Sequence, residues 1–225
     1  MELNKETWKE LDINVDSLWM IGPRAKGGKR ENNYHGNFVP QIPDQMIRRY
    51  TPENGIVLDM FMGSGTTLYE AERLGRSYIG LDINDEIINY VRSKMDGSKA
   101  KYFIHNCDVT DSEQVSLALS DDIIKLQNTG VDLVMSHPPY LDIVKFTDKK
   151  EDLSNISDIN AFIEKYTQSV KNVWPFLKKK QYFVLVIGDL WRNGEVIPLG
   201  FYLMYAIKKA VKCELKGIVV KDMVG

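Results

Sequence analysis

The fold of this chain is decided by residues 56–67, which are IVLDMFMGSGTT. A short apolar run that suits a buried strand ends at Asp59, a turn containing Gly63 and Gly65 follows, and two threonines begin a segment with helical periodicity. The glycines allow a tight turn and the close approach of a ligand, and a helix start offers unpaired N–H groups. A strand, a glycine turn and a helix in this order predict a ligand site of the nucleotide-binding kind.

The glycine turn does not match a phosphate-binding loop. A Walker sequence has a lysine after its last glycine, where this chain has Thr66, and the third glycine of the dinucleotide fingerprint is absent. The chemical group that remains beside the turn is the carboxylate of Asp59, which suits a ligand with a cationic ammonium group. S-adenosylmethionine carries such a group, and we expect it as the cofactor.

Predicted strands and helices alternate along the chain. Apolar runs that favour buried strands occupy residues 55–60, 77–81, 101–104, 131–135, 182–187 and 217–220, and helical patterns occupy 44–50, 66–74, 85–94, 111–126, 158–177 and 199–211. This alternation predicts an α/β fold with a doubly wound, mostly parallel sheet, whose ligands bind beyond the carboxyl ends of the strands. We expect an N-terminal arm over residues 1–50 and one catalytic domain over residues 51–225.

Acidic residues follow two further predicted strands. Asp82 ends the second strand, where a carboxylate can accept hydrogen bonds from both hydroxyls of a ribose. Asp108 follows the third strand, where it can accept from an adenine amine. Each acid taken alone also fits a helix cap or a turn. Three acids after three successive strands favour a cofactor site.

The strongest catalytic signal is Ser136-His137-Pro138-Pro139-Tyr140, after the fourth predicted strand. Two prolines cannot continue a central strand or enter a helix interior, so they form a rigid extended turn. An aromatic amine is a poor nucleophile, and acceptors around its hydrogens favour the pyramidal form that can attack a methyl sulfonium. The Pro138 carbonyl and the side chain at 137 can supply those acceptors, while Tyr140 stacks on a flipped base. A proline turn with a packed tyrosine is the structural alternative.

With these motifs the chain resembles the DNA amino-methyltransferases, the cytosine 4-amino and adenine 6-amino methylases. The resemblance is carried by DMFMGSGTT at 59–67, GLDIN at 80–84 and the proline–proline–tyrosine sequence at 138–140, and it extends over residues 34–220. It implies the class I S-adenosylmethionine-dependent, Rossmann-like fold and methyl transfer to double-stranded DNA, in the setting of restriction and modification. His137 stands where the family usually has Asp, Asn or Ser, so adenine and cytosine both remain open as the target base.

The motifs and the resemblance together predict the site residues. For the cofactor they are Asp59, Phe61, Gly63, Gly65, Thr66, Thr67, Asp82, Ile83 and Asp108, with His35, Phe38 and Pro40 in an N-terminal segment that closes over the methionine moiety. For catalysis they are Ser136, His137, Pro138, Pro139 and Tyr140. For the base pocket or DNA they are Asp189, Trp191 and Arg192 after the fifth strand, and Lys29, Arg30 and Lys145 in the polar loops 24–33 and 141–157. No metal site is predicted.

His137 carries a hypothesis of its own. A neutral imidazole has one acceptor nitrogen for an amine hydrogen, whereas the protonated ring can only donate. We therefore expect His137 to act in its neutral form and activity to fall as the pH drops through its pKa.

The composition limits the class of protein. The formal net charge of −2 argues against a chain that coats nucleic acid, so any DNA contact must be local. The start lacks the features of a secretion signal, no apolar run approaches a membrane span, and two distant cysteines suggest no disulfide framework, which together favour a reducing cytoplasm.

Two parts that the family usually has are not recognisable in this sequence. No block remains for a separate target-recognition domain, so we expect recognition from loops, a protein partner or a homodimer. The family fold ends in an antiparallel hairpin, and the final strand is missing, supplied differently or lost by truncation.

Two alternatives remain beside DNA methylation. An RNA guanine or protein glutamine amino-methyltransferase uses a similar tetrapeptide and the same cofactor, although those relatives typically have Asn before the prolines. A non-catalytic subunit can keep the fold and bind cofactor or DNA.

Overall fold

The computed structural model of the protein describes residues 12–30 and 36–222. The strands of this part are β1 (Leu18–Trp19), β2 (Ile56–Asp59), β3 (Ser77–Asp82), β4 (Tyr102–Asn106), β5 (Val131–Ser136), β6 (Leu177–Leu185), β7 (Leu190–Arg192), β8 (Glu195–Ile197) and β9 (Val220–Lys221). The α-helices are α1 (Gln41–Tyr50), α2 (Thr66–Arg73), α3 (Asp85–Lys94), α4 (Ser112–Lys125), α5 (Ile159–Val173) and α6 (Leu199–Ala210).

The central sheet has the strand order β4-β3-β2-β5-β6, and every neighbouring pair is parallel. The order reverses between β2 and β5, which is the place where ligands of such sheets bind. The glycine turn follows one of these strands and the tetrapeptide follows the other. The predicted doubly wound parallel sheet is confirmed.

Both faces of the sheet are covered by helices. Side chains of β2 alternate between two hydrophobic cores, with Leu58 in the core of α4, α5 and α6 and Val57 in the core of α1, α2 and α3. Strands buried on both faces need apolar residues at successive positions, because neither side meets water. The short continuous apolar runs in the sequence follow from this arrangement.

Helix starts follow side-chain caps that the sequence contains. Asn84 accepts hydrogen bonds from Glu86 N and Ile87 N at the start of α3, and Asp111 does the same for Glu113 N and Gln114 N at the start of α4. The predicted end of α5 is too late: the α-helix ends at Val173, and a short 3-10 helix (Trp174–Phe176) leads into β6. Pro175 has no N–H to continue the α-helical hydrogen bonds.

The predicted buried strand at residues 217–220 is wrong. Ile218, Val219 and Val220 are exposed, and only Val220 and Lys221 pair, in parallel with β1 outside the central sheet. An apolar run favours strand geometry but does not specify a pairing partner. Within the described residues β6 is therefore an edge strand. No helix in residues 12–30 and 36–222 is long and apolar enough to cross a membrane.

Candidate active site

A cavity of about 1880 Å³ extends from the carboxyl ends of the central strands along strand β6 to residues 212–221. Its wall includes loops that follow β2, β3, β4, β5 and β6, together with residues 36–39 from the N-terminal arm. Of the predicted cofactor residues, the wall contains Phe38, Phe61, Gly63, Thr66, Asp82, Ile83 and Asp108. Of the predicted catalytic residues, it contains His137, Pro138, Pro139 and Tyr140.

Asp82 joins the glycine turn to the turn after β3. One carboxylate oxygen accepts from Gly63 N at 2.7 Å, and the other accepts from Asn84 N at 2.9 Å. Burial raises the pKa of Asp82 to about 6, even though both backbone hydrogen bonds lower it. A carboxylate has about four lone-pair positions, so it can still accept from ribose hydroxyls on the cavity side. The position and chemistry of Asp82 fit the predicted cofactor.

The backbone of the glycine turn requires glycine. Gly63 and Gly65 have φ of 52° and 86°, in a region that residues with a Cβ rarely adopt. A Cβ at Gly65 would lie 3.0 Å from the Tyr69 ring and 3.2 Å from Val91. Gly65 lies behind the cavity wall, so its role is to let α2 start close to α3.

Asp59 does not face the cavity, contrary to the expectation that it meets the cofactor's ammonium group. It is 2% exposed, and its carboxylate accepts from Phe61 N at 3.2 Å. Burial raises its pKa to about 6, against hydrogen bonding that lowers it. As the last side chain of β2 it points beneath the turn, where it holds the backbone of the loop.

Three other residues predicted to contact the cofactor are not found on the cavity wall. Thr67 and Pro40 are buried behind the wall. His35 lies outside the described residues. Asp108, by contrast, lies on the wall, and its carboxylate accepts from the N and Oγ1 of Thr110, both at 2.8 Å.

The N-terminal segment contacts both motifs. The Ser64 hydroxyl donates to Asn37 Oδ1 at 2.5 Å, which ties the segment to the glycine turn. The ring of Phe38 lies edge-to-face against His137, with 4.7 Å between ring centroids. The carbonyl of Phe38 accepts from Arg24 at 2.8 Å. This segment closes the cavity between the two motifs.

His137 lies between two aromatic rings in the tetrapeptide. Besides Phe38, its ring meets Tyr140 edge-to-face at 5.6 Å between centroids, and its Nε2 lies 3.1 Å from the Tyr140 hydroxyl. Burial lowers the pKa of His137 to about 4. The imidazole is therefore neutral near pH 7. When Nε2–H donates to the tyrosine hydroxyl, Nδ1 is the free acceptor.

Gly188 is a site residue that the sequence did not indicate on its own. It lies on the cavity wall, and a Cβ at this position would be 3.2 Å from the Tyr140 ring. The glycine therefore makes room for the tyrosine. A signal was present in the Gly-Asp pair after the fifth predicted strand, but such a pair also occurs in simple turns.

Ser136 is not on the cavity wall, contrary to its predicted catalytic place. It is fully buried at the end of β5, and its hydroxyl lies 2.9 Å from that of Tyr166 on α5. The Tyr166 ring stacks with Phe61 of the glycine turn at 6.2 Å between centroids. Alternate strand residues point to opposite faces, so Ser136 faces the helix layer while the tetrapeptide leaves the sheet. In the sequence, Tyr166 is recognisable only as part of a helical apolar stripe.

Three of the predicted DNA-contacting cations are paired within the protein. Lys29 donates to Glu72 at 2.7 Å, and Arg30 makes two hydrogen bonds to Glu70 at 2.6 and 2.9 Å. The Glu70 side chain is 1% exposed, so Arg30 neutralises a buried charge. Lys145 pairs with Asp148 at 2.5 Å. The sequence showed the cations but not which acids would lie beside them.

The segment after β6 divides its predicted residues between the cavity and the surface. Asp189 lies on the cavity wall, while Trp191 is outside it and 70% exposed on β7. Arg192 pairs with Asp142 and donates to the Ser157 carbonyl at 2.9 Å, which ties this hairpin to the loop after the tetrapeptide. Trp191 therefore does not line the cavity, and its contact with DNA stays a prediction.

Comparisons with known proteins agree with this geometry. Residues 1–93 match the DNA methylase family N6_N4_Mtase. The type II methyltransferase M.MjaII of Methanocaldococcus jannaschii is 34% identical over 129 residues, which are 54% of this chain and 24% of that protein. Over these parts of its length the chain is similar to DNA methylases.

A second relative also matches over only part of its length. The type II methyltransferase M.ScaI of Streptomyces caespitosus is 27% identical over 97 residues, covering 41% of this chain and 32% of that protein. The chain thus spans a third or less of the length of these relatives. Among solved structures, the [4+2]-cyclase SpnF matches with a TM-score of 0.51 and 15% identity over 84% of this chain and 65% of that one. This likeness shows a shared fold alone.

Proposed function

We propose that the chain transfers a methyl group from S-adenosylmethionine to an exocyclic amine of an adenine or cytosine flipped out of double-stranded DNA. The observation that carries the proposal is the meeting of two motifs on one cavity wall. The glycine turn with Asp82 forms the cofactor side, and the rigid His137-Pro138-Pro139 turn forms the acceptor side. Similarity to DNA methylases over part of the chain supports DNA as the substrate.

Residues of the chain provide the cofactor side. Asp82 would accept from the ribose hydroxyls, and Phe38 and Phe61, which line the same cavity, would supply apolar surface that excludes water. The bound cofactor would supply an electrophilic methyl group on a sulfonium. A cationic ligand also suits Asp82, whose pKa is raised by burial, because a positive charge favours its ionised form.

The acceptor side acts on the amine. The neutral His137 ring and the Pro138 carbonyl would accept hydrogen bonds from the amine hydrogens, which localises the nitrogen lone pair for attack on the methyl carbon. As the nitrogen–carbon bond forms, the electron pair of the sulfonium–methyl bond would stay on sulfur, and the methylated nitrogen would release its extra proton to water. A pKa of about 4 makes His137 a hydrogen-bond acceptor and a weak proton acceptor. Tyr140, held by Gly188 and His137, offers a face for stacking with the flipped base.

Labelled methyl transfer tests this function. The chain is incubated with methyl-labelled cofactor and duplex DNA, RNA or a protein extract, and methylated nucleosides are identified by mass spectrometry. We expect the label in DNA as N6-methyladenine or N4-methylcytosine. We expect this label to be lost in His137→Ala. Label found only in RNA or only in protein would show that the substrate is that polymer and not DNA. Cofactor binding without any transfer would instead support a non-catalytic subunit.

Recognition of a DNA sequence by a protein partner or a second copy of the chain stays a prediction. Sedimentation of the chain with and without duplex DNA measures the number of copies bound.

A further inference from the structure

The loop after the tetrapeptide folds as a unit. Phe146 N donates to Ser154 Oγ at 3.0 Å, and the Thr147 hydroxyl donates to Asp152 at 2.8 Å. Asn155 closes the other side by donating to the carbonyls of Thr147 and Lys149 at 3.0 and 2.8 Å. With these internal hydrogen bonds, residues 146–155 are expected to move together rather than as a flexible chain.

Two side chains tie this loop to the turn between β3 and α3. The Lys149 ammonium donates to the Ile83 carbonyl at 2.7 Å and to the Asp85 carboxylate at 2.6 Å. In the opposite direction, the Asn84 amide donates to the Phe146 carbonyl at 3.3 Å. The turn so held begins with Asp82, the acid that faces the cofactor cavity.

The loop also forms part of the cavity wall. Val144, Phe146, Asp152 and Leu153 line the cavity, and the Phe146 ring lies 3.3 Å from where a Cβ of Gly36 would be. The N-terminal segment, the turn after β3 and the loop after the tetrapeptide therefore meet at one end of the cavity. Breaking the Lys149 contacts would weaken the link between the loop and the Asp82 turn without removing a wall residue, because Lys149 itself does not line the cavity.

We propose that Lys149 is a positioning residue that couples the cofactor site to the base site. The inference rests on the proposed function, because it names Asp82 as a cofactor contact and the tetrapeptide as the base contact. The tetrapeptide runs directly into this loop through Leu141, which is fully buried with φ of 51°. A cofactor that orders the Asp82 turn thereby favours one position of the loop and of Tyr140. By linkage, DNA binding then tightens cofactor binding by the same factor.

Lys149 differs from its neighbour in the same basic run. Lys150 is exposed and makes no hydrogen bond or ion pair with any residue of the described ranges 12–30 and 36–222. If the run were only a solvated or phosphate-binding surface, the two lysines would behave alike. The pair therefore offers a matched comparison, Lys149→Met against Lys150→Met.

The test measures the dissociation constant of S-adenosylhomocysteine by titration calorimetry, with and without a duplex that carries the site mapped by methyl labelling. In the unmodified chain we expect the duplex to tighten binding. Lys149→Met should weaken binding about three- to tenfold, the scale for losing a partly exposed ionic hydrogen bond, and should abolish most of the tightening by DNA. Lys150→Met should keep both values.

A milder variant separates a loss of coupling from a loss of folding. Asp85→Asn leaves the Lys149 contact with the Ile83 carbonyl, so we expect a smaller change in the same direction and an unchanged unfolding temperature. A purely structural role for Lys149 would lower the unfolding temperature and leave the effect of DNA on the dissociation constant intact, which overturns the inference. Equal behaviour of Lys149→Met and Lys150→Met overturns it as well. Absence of S-adenosylhomocysteine binding or DNA methylation in the unmodified chain defeats the proposed function itself.

Discussion

The imidazole of His137 is held by its neighbours in a state that suits an acceptor. Phe38 and Tyr140 flank the ring, and burial keeps its pKa near 4. The sequence predicts a loss of activity as the pH falls through the pKa of this histidine. The structure moves that loss well below neutral pH, because the buried ring loses the water that would stabilise its cation.

Asparagine should replace His137 better than alanine. Asn keeps an acceptor oxygen at the same position, whereas Ala removes the acceptor, so we expect His137→Ala to lower the single-turnover rate about a hundredfold, the scale for one pre-positioned polar group. His137→Asn should retain most of that rate. Rapid-quench assays at saturating cofactor and DNA measure it. Equal rates for the two variants would argue against an acceptor role.

The pH dependence of cofactor binding should come from Asp82 rather than His137. Its pKa is raised to about 6, so it is ionised above that pH and protonated below it. A ribose hydroxyl needs the ionised acceptor, so affinity should be constant above pH 7 and fall below 6, by about tenfold per pH unit. Calorimetric titration with S-adenosylhomocysteine between pH 5 and 8 tests this. Asp82→Asn should bind weakly at every pH, and an unchanged acid limb in that variant would point to another group.

At the scale of elements, α2 holds the basic N-terminal arm in place. Its Glu70 is buried between Arg30 and Arg73, with N–O distances of 2.6 and 2.8 Å. A buried carboxylate needs such partners, because an unpaired buried charge is strongly unfavourable. Loop 24–30 is thus anchored to the helix after the glycine turn rather than free to follow a DNA backbone.

Arg30→Ala is therefore expected to act on stability. Loss of one of two cationic partners of Glu70 should lower the free energy of unfolding by about 1–3 kcal/mol. Urea unfolding measures this, with Lys26→Ala as the control because Lys26 is exposed in the same loop. The salt dependence of DNA binding should be the same for both variants. A lower salt slope in Arg30→Ala alone would restore the role in DNA binding suggested by the sequence.

The turn between β6 and β7 should control the position of Tyr140. In Gly188→Ala the new methyl group would meet the tyrosine ring at 3.2 Å, which forces the ring to shift. We expect slower methyl transfer with unchanged affinity for S-adenosylhomocysteine, because the cofactor side does not contact this turn. Gly22→Ala is the matched control, since nothing lies within 4 Å of its Cβ position. Equal methylation rates would show that the ring tolerates the methyl group.

Over the whole molecule, the predicted strands of the central sheet are present, while the element boundaries and the last strand were less well predicted. Strand β6 begins at Leu177, earlier than the predicted residue 182. The early part of the strand is rich in lysine, and the sequence alone does not show that Lys178 pairs with the buried Asp132 at 2.7 Å. Exposure of Ile218 and Val219 depends on the lack of a neighbouring strand in the described part of the chain. Both features depend on contacts between residues far apart in sequence.

The sequence by itself determined the alternation of strands and helices, the glycine turn, the caps of α3 and α4, and the rigid tetrapeptide. These depend on backbone preferences and side-chain periodicity over a few residues. Only the tertiary structure decided that Asp59 and Ser136 point inward. It also decided that Arg30 pairs with Glu70 and that Lys149 joins two loops. Such choices depend on which surfaces meet when the sheet is assembled, and local spacing carries no information about the partner across a fold.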